Sequence, residues 1–491
     1  MSISRIAPRT LNIAIALGLS LASDSAVLPA AASESVAPAN TVPAVTPWNE
    51  QFAYLTGMQA YIYGYPAIYY ANVRYQWIES GQGPVRMAVN QYYHSRVLSD
   101  YRLQHGGSPN RETPYSAAML DLVEPMVLTV PENPEQRYYS LQLADFYSDT
   151  VGYIGVRATH NLAGDYLVVG PDWQGEVPQG IKGVIHATTP WTFVVARTFS
   201  DGSEADLVKV HAFQDGYKIT PLSQYGKPEV KQTERHDVLD PAAGTDPLGA
   251  FKTMNAAMKE NPPPARDDAL MKQFALVGLG PQAKGNLDDL DPAIKRGLAR
   301  AIVDGHALLG RVAKAGGSIV GATRTQNGWF YGASNWGRMA ADGDFLGRAG
   351  TQAFSGLIEH VIEESVKLRT FVDSDGDPLN GDNRYVLHFS KAQIPQAKSF
   401  WSVTLYDENY NLSYNEAGRY SVGDTLPGLI YGKDGSLDIY IQAEKPDGDK
   451  TANWLPAPKG KDFNLFLRTY FPGPTLLDQS YSAPAVVKVG N

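Results

Sequence analysis

The 491-residue sequence contains no cysteine. This absence excludes disulfides, thiolate metal sites, cysteine nucleophiles and lipid-modified cysteine. The sequence also lacks the G-x-S-x-G elbow, the Walker A loop, the dinucleotide-binding G-x-G-x-x-G and the H-E-x-x-H zinc pattern. No nucleophile is therefore visible, and any catalysis would use carboxylate acid–base chemistry or metal-assisted hydrolysis.

Positive charge is also scarce. There are 42 Lys and Arg residues against 51 Asp and Glu residues, so the formal net charge is −9. Such a chain lacks the bulk charge that nucleic acid or an anionic membrane surface would attract, and we predict no nucleic-acid partner. The hydrophobic content of 43% is enough for sizeable cores, and a chain of 491 residues predicts two or three domains.

Long apolar runs are confined to the N-terminus. A run at 11–22 follows Arg5 and Arg9 and precedes the small residues at 30–32. This pattern predicts a secretory signal peptide over 1–32, followed by a flexible lead-in over 33–47. The run is shorter than the roughly 20 residues of a spanning helix, so we expect no transmembrane segment after signal removal. We predict a bacterial protein that is periplasmic or secreted.

Hydrophobic periodicity divides the rest of the chain into three parts. A helix is predicted over 47–77, interrupted at Gly64 and Pro66. Short β-rich segments over 110–223 predict an antiparallel sandwich or barrel. Helices are predicted over 246–317 and again over 343–368, and strands return from 385. The fold class is mainly β with a helical middle domain.

The densest group of polar residues lies at 108–148 and is our first candidate site. On the predicted strand 137–147 the odd positions share a face, so Arg137 and Asp145 point the same way. The alternative is a structural ion pair with a loop pinned by Asn110. As catalytic residues we predict Asp121 and Asp145, in acid–base or metal-binding roles, and as substrate-binding residues Asn110, Arg111, Thr113, Tyr115, Arg137, Tyr139 and Gln142.

A second candidate is a calcium site in the loop that begins at Asp373, because alternating carboxylates such as those of this loop suit a hard divalent cation. Gly376 is the fourth residue of this loop rather than the sixth, and Arg384 stands where the glutamate of an EF-hand would be. The alternative is a polar turn into the next strand. The predicted ligands are Asp373, Asp375, Asp377 and Asp382.

His360 lies four residues before Glu364 on the predicted helix, so the two share a helix face. We interpret His360 as a surface residue of an acidic helix rather than as a metal ligand. Around Trp329 and Trp336, core packing is favoured over a sugar-stacking surface.

Short motifs throughout the chain resemble the paired domain-of-unknown-function families 1254 (N-terminal) and 1214 (C-terminal). The resemblance implies an immunoglobulin-like β-sandwich over 48–227, a small α-helical domain over 228–345 and a jelly-roll β-sandwich over 346–491, and it brings no established reaction. One departure is Glu112, where the family pattern leads us to expect aspartate. The motifs are YIYGYP at 61–66, PN at 109–110, TPYS at 113–116, LDL at 120–122, RYY at 137–139, GP at 170–171, PLS at 221–223, FWS at 400–402, DGS at 434–436, NWLP at 453–456 and RTY at 468–470.

Two functions follow as hypotheses. The first is a hydrolase acting on a small anionic molecule, such as a phosphate ester, or on a sugar-like substrate. The second is a non-catalytic envelope protein that binds a ligand or takes part in assembly. The high aromatic content favours a homo-oligomer. A cleft where Arg111, Asp121, Arg137 and Asp145 converge would favour the enzyme, whereas dispersed or ion-paired residues would favour the second hypothesis.

Overall fold

The structure is a computed structural model that describes residues 46–81, 85–104, 107–228, 237–314 and 325–490. The predicted signal peptide and nearly all of the predicted lead-in lie outside these residues. No helix within the described ranges is long and apolar enough to cross a membrane.

The N-terminal β-region consists of two sheets that pack face to face. Its strands are β1 (Tyr93–His94), β2 (Tyr115–Asp121), β3 (Met126–Val130), β4 (Tyr139–Ala144), β5 (Thr150–Gly155), β6 (Gly164–Val169), β7 (Ile181–His186), β8 (Trp191–Thr198) and β9 (Lys218–Pro221). One sheet has the order β1-β2-β8-β4-β5 and the other β7-β6-β3-β9. Leu141 and Val194 of the first sheet share an apolar core with Leu128 of the second.

Helices cover the outer face of the first sheet. The helical elements of the chain include α1 (Trp48–Ile78), α2 (Glu204–Asp215), α3 (Gly249–Glu260), α4 (Asp268–Ala275), α5 (Pro292–Lys314), α6 (Phe345–Gly347), a π-helix (Arg348–Phe354) and α7 (Pro474–Leu477). Those on this face are α1, α3, α4, α5, α6 and the π-helix. In contrast, Phe213 of α2 packs on the core between the two N-terminal sheets, and Leu476 of α7 lies in the C-terminal core. Helix α1 lies on the sheet through contacts such as those of Tyr70 and Trp77 with Phe193. Helix α1 also packs against α3, α5 and the π-helix, so the helical middle region shares one core with the first sheet.

The predicted interruption of the first helix is wrong, because α1 runs unbroken through Pro66. A proline inside a helix costs about 3 kcal/mol. Helix α1 is packed on two sides, and the burial of its large side chains offsets that cost. Gly64 serves packing rather than a bend, since a Cβ there would lie 2.4 Å from Sδ of Met254 on α3.

The C-terminal β-region also consists of two sheets around an apolar core. Its strands are β10 (Thr325–Gln326), β11 (Trp329–Tyr331), β12 (Ser365–Thr370), β13 (Arg384–Phe389), β14 (Ala397–Asp407), β15 (Ser421–Gly423), β16 (Leu437–Gln442), β17 (Trp454–Pro456), β18 (Phe463–Pro472) and β19 (Val486–Val489). One sheet has the order β10-β11-β12-β18-β14-β15 and the other β17-β16-β13-β19.

The predicted helix over 343–368 is only partly correct. Helical structure ends at Phe354, and 365–370 forms strand β12. The apolar residues Val366 and Leu368 alternate with Lys367 and Arg369, which is the period of a strand with one face in a core. Pairing with β18, about a hundred residues later in the chain, decides this conformation.

The two β-regions meet directly. Phe400 stacks on Tyr470 with ring centroids 4.4 Å apart, and Tyr138 of the N-terminal region packs on both. The Tyr138 hydroxyl donates a 2.7 Å hydrogen bond to buried Glu364, which also pairs with Arg157 at 2.5 Å. This contact turns one face of β12 and β18 towards the N-terminal β-region.

Candidate ligand-binding site

Strands β12 and β18 place two cations side by side where the N-terminal and C-terminal β-regions meet. Their inward residues, among them Leu368 and Leu467, lie in the C-terminal core. Their outward residues include Lys367 and Arg468, which are direct partners in the antiparallel register. Residues opposite each other in such a pair project to the same face.

The N-terminal β-region contributes a third cation from the opposite wall. Arg197 on β8 pairs in register with Tyr115 on β2, and its guanidinium carbon lies 5.6 Å from the Tyr115 ring centroid. Its Nη1 donates a 3.0 Å hydrogen bond to the side-chain oxygen of Gln142. The Gln142 amide in turn donates to the carbonyl oxygen of Glu359 at 2.7 Å, so Gln142 holds Arg197 against the C-terminal wall.

His360 is 3% exposed and lies in a loop, so its prediction as a surface residue of an acidic helix is wrong. The Val361 amide donates to the Tyr153 hydroxyl, which leaves the hydroxyl hydrogen available to Nδ1 of His360 at 3.2 Å. Nε2 is buried and has no hydrogen-bond partner among the described residues. Burial holds the pKa of His360 well below its ordinary value, so the imidazole is neutral.

These side chains surround a recess that we call the basic pocket. A larger cavity of about 710 Å³ adjoins it and shares Gly107, Ser108, Glu359 and Lys367 with its wall. The larger cavity adds apolar surface, including Trp336 and Phe466. The polar side chains that line the basic pocket are those of Ser108, Asn110, Tyr115, Arg197, Glu359, His360, Lys367, Arg468 and Tyr470.

The basic pocket carries an excess of positive charge. Among the described residues that line it, three are cationic and one, Glu359, is a carboxylate, so the formal balance is 3 − 1 = +2. Arg468 donates to the Tyr406 hydroxyl at 2.8 Å and to the Ser108 carbonyl at 2.7 Å. In the described part of the chain, no carboxylate lies within 4.0 Å of the guanidinium of Arg197 or Arg468.

Lys367 is the cation that contacts Glu359, through a hydrogen bond from Nζ to Oε2. Its side chain is 17% exposed, towards the cavity. Burial lowers the pKa of Lys367 from 10.5 to about 8; Glu359 opposes this change, and Arg468 and Arg197 add to it. Desolvation and neighbouring cations thus outweigh the one carboxylate.

Some of the predicted substrate-binding residues belong to this pocket. Asn110 and Tyr115 line it, and Gln142 positions Arg197. The Asn110 amide donates to the Tyr470 hydroxyl across the junction, while its side-chain oxygen accepts the amide of Glu112 at 2.5 Å. Asn110 therefore fixes the loop and also joins the two β-regions.

Other predicted residues lie elsewhere. Arg137 forms a fork on Asp206, with Nη2 2.6 Å from Oδ1 and Nη1 2.9 Å from Oδ2. Tyr139 faces the core between the two N-terminal sheets. Arg111 lines a separate cavity of about 200 Å³, and Thr113 is fully buried. Arg111 and Arg137 therefore do not share one cleft.

The two predicted catalytic carboxylates hold turns. Asp145 accepts the amides of Tyr147 and Asp149 and the hydroxyl of Thr188. Burial and the nearby Asp149 raise the pKa of Asp145 above its ordinary value. Asp121 accepts the amide of Val123 at 3.1 Å. The structure places neither carboxylate in the lining of the basic pocket.

The predicted calcium loop forms a tight turn. One oxygen of Asp373 accepts hydrogen bonds from the amides of Asp375 and Asp377, each at 3.0 Å. Asp375 and Asp377 are themselves exposed. Asp382 instead accepts the amide of Gly460. In the ranges that the structure describes, no three His, Asp or Glu residues are grouped so that they could hold a metal ion.

Arg197, Lys367 and Arg468 were not among the residues predicted from the sequence. Each lies within a strand, and the residues immediately before and after it in the sequence are apolar or buried. The signal in the sequence is a charged residue inside an otherwise apolar strand, as in VKL and FLRTY. Charged residues are almost never fully buried unless they are paired, so such positions indicate a partner or a ligand.

Comparisons with known proteins cover both β-regions. Residues 89–221 match the family described as "Protein of unknown function (DUF1254)", and residues 364–474 match "Protein of unknown function (DUF1214)". The first segment supplies Asn110, Tyr115 and Arg197 to the basic pocket, and the second supplies Lys367, Arg468 and Tyr470. The pocket is thus built where the two family segments meet.

Two solved structures resemble the chain. The crystal structure of the VPA0106 protein from Vibrio parahaemolyticus has a TM-score of 0.68 and 22% identity, covering 90% of this chain and 100% of that chain. A putative uncharacterized protein from Burkholderia cenocepacia has a TM-score of 0.42 and 13% identity, covering 90% and 93%. No curated protein matches the sequence.

Proposed function

We propose that this chain, in which a DUF1254 segment precedes a DUF1214 segment, binds a small anionic molecule in the basic pocket. The observation that carries the proposal is the convergence of Arg197, Lys367 and Arg468 around one carboxylate, that of Glu359. Like charges that are partly removed from water repel each other and cost stability. An anionic ligand offsets that cost, and the lowered pKa of Lys367 is the kind of perturbation that clusters at functional sites.

The donors in the pocket suit a carboxylate or a phosphate group. Guanidinium groups present a planar fork that matches both anions, and the ammonium of Lys367 adds a point charge. The adjoining cavity of about 710 Å³ falls within the roughly 300–1,000 Å³ of small-molecule sites. Trp336 and Phe466 in its wall can accommodate the apolar part of a ligand.

The test is calorimetric titration with inorganic phosphate and with small carboxylic acids at fixed ionic strength. A hydrogen bond to a charged group contributes about 1.5–3 kcal/mol, so Arg197→Met and Arg468→Met should each weaken binding about ten- to a hundredfold. Arg137→Met is the matched control, because its guanidinium is occupied by Asp206. If Arg137→Met or Asp145→Ala abolishes binding while Arg197→Met retains it, the ligand lies at the first candidate site and the proposal fails.

Ligand binding is favoured over hydrolysis by the same contacts. The carboxylate that lines the pocket, that of Glu359, accepts a hydrogen bond from Lys367, and the predicted catalytic pair Asp121 and Asp145 holds turns outside the pocket. Hydrolysis of phosphate esters remains a second proposal, supported by the affinity for phosphate that the pocket predicts. Phosphate release from simple esters that is lost in Arg197→Met would establish it.

Export and oligomerisation remain proposals as well. The apolar run after Arg5 and Arg9 supports export, and fractionation of cells into periplasm and cytoplasm tests it. Light scattering of the purified protein tests the homo-oligomer. Neither result bears on the anion site.

A further inference from the structure

The side chain of Lys367 lies among a carboxylate, an aromatic ring and a second cation. Its Nζ reaches the cavity, contacts the Glu359 carboxylate and lies 5.3 Å from the centroid of the Trp336 ring. Arg468 stands directly opposite on the neighbouring strand. A lysine desolvated beside an aromatic surface and another cation is the setting in which proteins produce a neutral, nucleophilic amine.

A surface pair in the same chain shows the effect of the surroundings. Lys459 contacts Glu444 at 2.7 Å with a side chain that is 70% exposed, and this pairing raises the pKa of Lys459. Lys367 is also paired with a glutamate, yet burial lowers its pKa to about 8. A far larger fraction of Lys367 is therefore neutral at pH 7 than of an ordinary lysine.

We propose that Lys367 forms an imine with the carbonyl carbon of a 2-oxo acid whose carboxylate is held by Arg468 and Arg197. The inference rests on the proposed anion site and names the class of anion that it takes. Side chains of directly paired strand residues start about 4.5–5.5 Å apart. Because both side chains also line the basic pocket, a carboxylate bound by Arg468 would lie beside Lys367 with its adjacent carbonyl carbon in the same pocket.

The chemistry balances without an oxidant or reductant. Glu359 accepts a proton from the ammonium, and the Nζ lone pair attacks the carbonyl carbon while the carbonyl π electrons move to oxygen. The nitrogen then loses a proton, the oxygen gains protons to give a hydroxyl and then leaves as water, and the nitrogen lone pair forms the C=N bond. One amine and one ketone give one imine and one water. The neutral His360 lies in the same wall of the pocket and takes no part in these proton transfers.

Borohydride trapping tests this inference on the full chain. Incubation with pyruvate and borohydride reduces an imine to a stable secondary amine, which adds the mass of the acid less one oxygen atom. We expect this mass on the peptide that contains Lys367, and its yield should increase as pH rises through about 8. Lys367→Arg should abolish the adduct, because arginine stays protonated, whereas Lys459→Arg should retain it.

The outcomes separate this inference from the anion site. Phosphate or acetate binding without an adduct at Lys367 would refute the imine and leave the anion site intact. An adduct on Lys367 no faster than on exposed Lys459 would show non-specific chemistry and also overturn the inference. If the protein neither binds these anions nor forms the adduct, both proposals are refuted. Peptide mapping is carried out on the wild-type chain, so the result does not depend on the folding of any variant.

Discussion

Lys367 and Arg468 face each other across two neighbouring antiparallel strands, on the side of the sheet turned towards the N-terminal β-region. Like charges directly opposite each other destabilise a sheet, by roughly 0.2–1 kcal/mol at open positions. One carboxylate, that of Glu359, contacts this pair on the lysine side. The pocket therefore exchanges stability of the empty protein for affinity towards an anion, which is the usual trade-off at binding sites.

The first prediction separates that cost from the benefit. The double variant Lys367→Met and Glu359→Met replaces a largely buried ion pair with apolar side chains of similar size, a change that is often neutral or stabilising. We expect an unchanged or higher midpoint of unfolding in urea and at least a tenfold loss of phosphate affinity. Lys367→Met alone should be less stable than the double variant, because it leaves the carboxylate of Glu359 unpaired. A double variant that loses stability but keeps its affinity would contradict the trade-off.

The second prediction concerns pH and affinity. Lys367 attracts an anion only while it is protonated, and its folded pKa is about 8. Acetate keeps a single charge across this range, so its affinity at fixed ionic strength should decrease as pH rises from 7 to 9.5. In Lys367→Arg the decrease should disappear, because arginine remains charged over this range. The imine adduct should change in the opposite direction, since the neutral amine is the nucleophile.

The lowered pKa of Lys367 also predicts how the free energy of unfolding depends on pH. Between about 8 and 10.5 the unfolded chain holds a proton on Lys367 that the folded chain does not. Stability without ligand therefore rises with pH across this window, by up to about 1.4 kcal/mol per pH unit. Urea unfolding of the wild type and of Lys367→Met measures the difference, and a slope shared by both proteins would rule out Lys367 as its source.

The predicted strand at 137–147 shows how much of the fold the sequence pattern determines. The observed strand β4 covers only Tyr139–Ala144, so Arg137 and Asp145 lie beyond its ends, but within it the predicted period of two holds and Tyr139, Leu141 and Leu143 share a face. That face is the core between the two N-terminal sheets, and the even residue Gln142 faces the junction instead. Because helices and the C-terminal β-region cover the second face, both faces are buried and alternation does not identify the functional one.

The basic pocket could not be predicted from the sequence, because the residues that form it are distant from each other in the chain. The pairing of Lys367 with Arg468 joins strands about a hundred residues apart, and Arg197 comes from the other β-region. The stretch 359–368 fits a helical pattern as well as a strand until β18 is placed beside it. The two family segments and the order of β, helical and β regions were within reach of local patterns, whereas the convergence of cations was not.

The third prediction concerns the loop that carries Glu359 and His360. Gly337 has φ +76°, and a Cβ there would lie 2.9 Å from Cγ1 of Val361 and 3.1 Å from the carbonyl oxygen of Glu359. Gly343 has a similar φ of +71° with nothing within 4 Å, so it is a matched control. We expect Gly343→Ala to cost only the strain of the left-handed backbone, about 1–2 kcal/mol.

Gly337→Ala should cost more than Gly343→Ala and should also weaken phosphate binding, because the added methyl group displaces the 359–361 segment. Urea unfolding and calorimetric titration of the two variants measure both effects. Equal stability losses with unchanged affinity in both variants would show that the loop tolerates the displacement.

The fourth prediction assigns Arg137 to stability. Its side chain is 7% exposed, and its fork on Asp206 joins the start of β4 to the first turn of α2. Removing one partner of a buried pair costs about 3–5 kcal/mol, and we expect the lower end because Ser200 and Asp201 still donate to Asp206 in Arg137→Met. Phosphate affinity should be unchanged. Glu135→Gln, which removes the exposed second carboxylate partner of Arg137, should have little effect on either property.

The pH dependence of Arg137→Met provides an independent check. Burial acts to raise the pKa of Asp206, but the hydrogen bonds from Arg137 and Ser200 outweigh it and hold that pKa below 3.8. A carboxyl group with a depressed folded pKa contributes stability above its ordinary pKa and loses it as pH falls through the folded value. The deficit of Arg137→Met relative to wild type should therefore be full at pH 7 and should shrink below about pH 4, where protonation of Asp206 weakens the pair in the wild type as well. Urea midpoints at both pH values measure this change, and a deficit that stays constant would mean that Arg137 acts through packing and its bond to the Phe199 carbonyl rather than through Asp206.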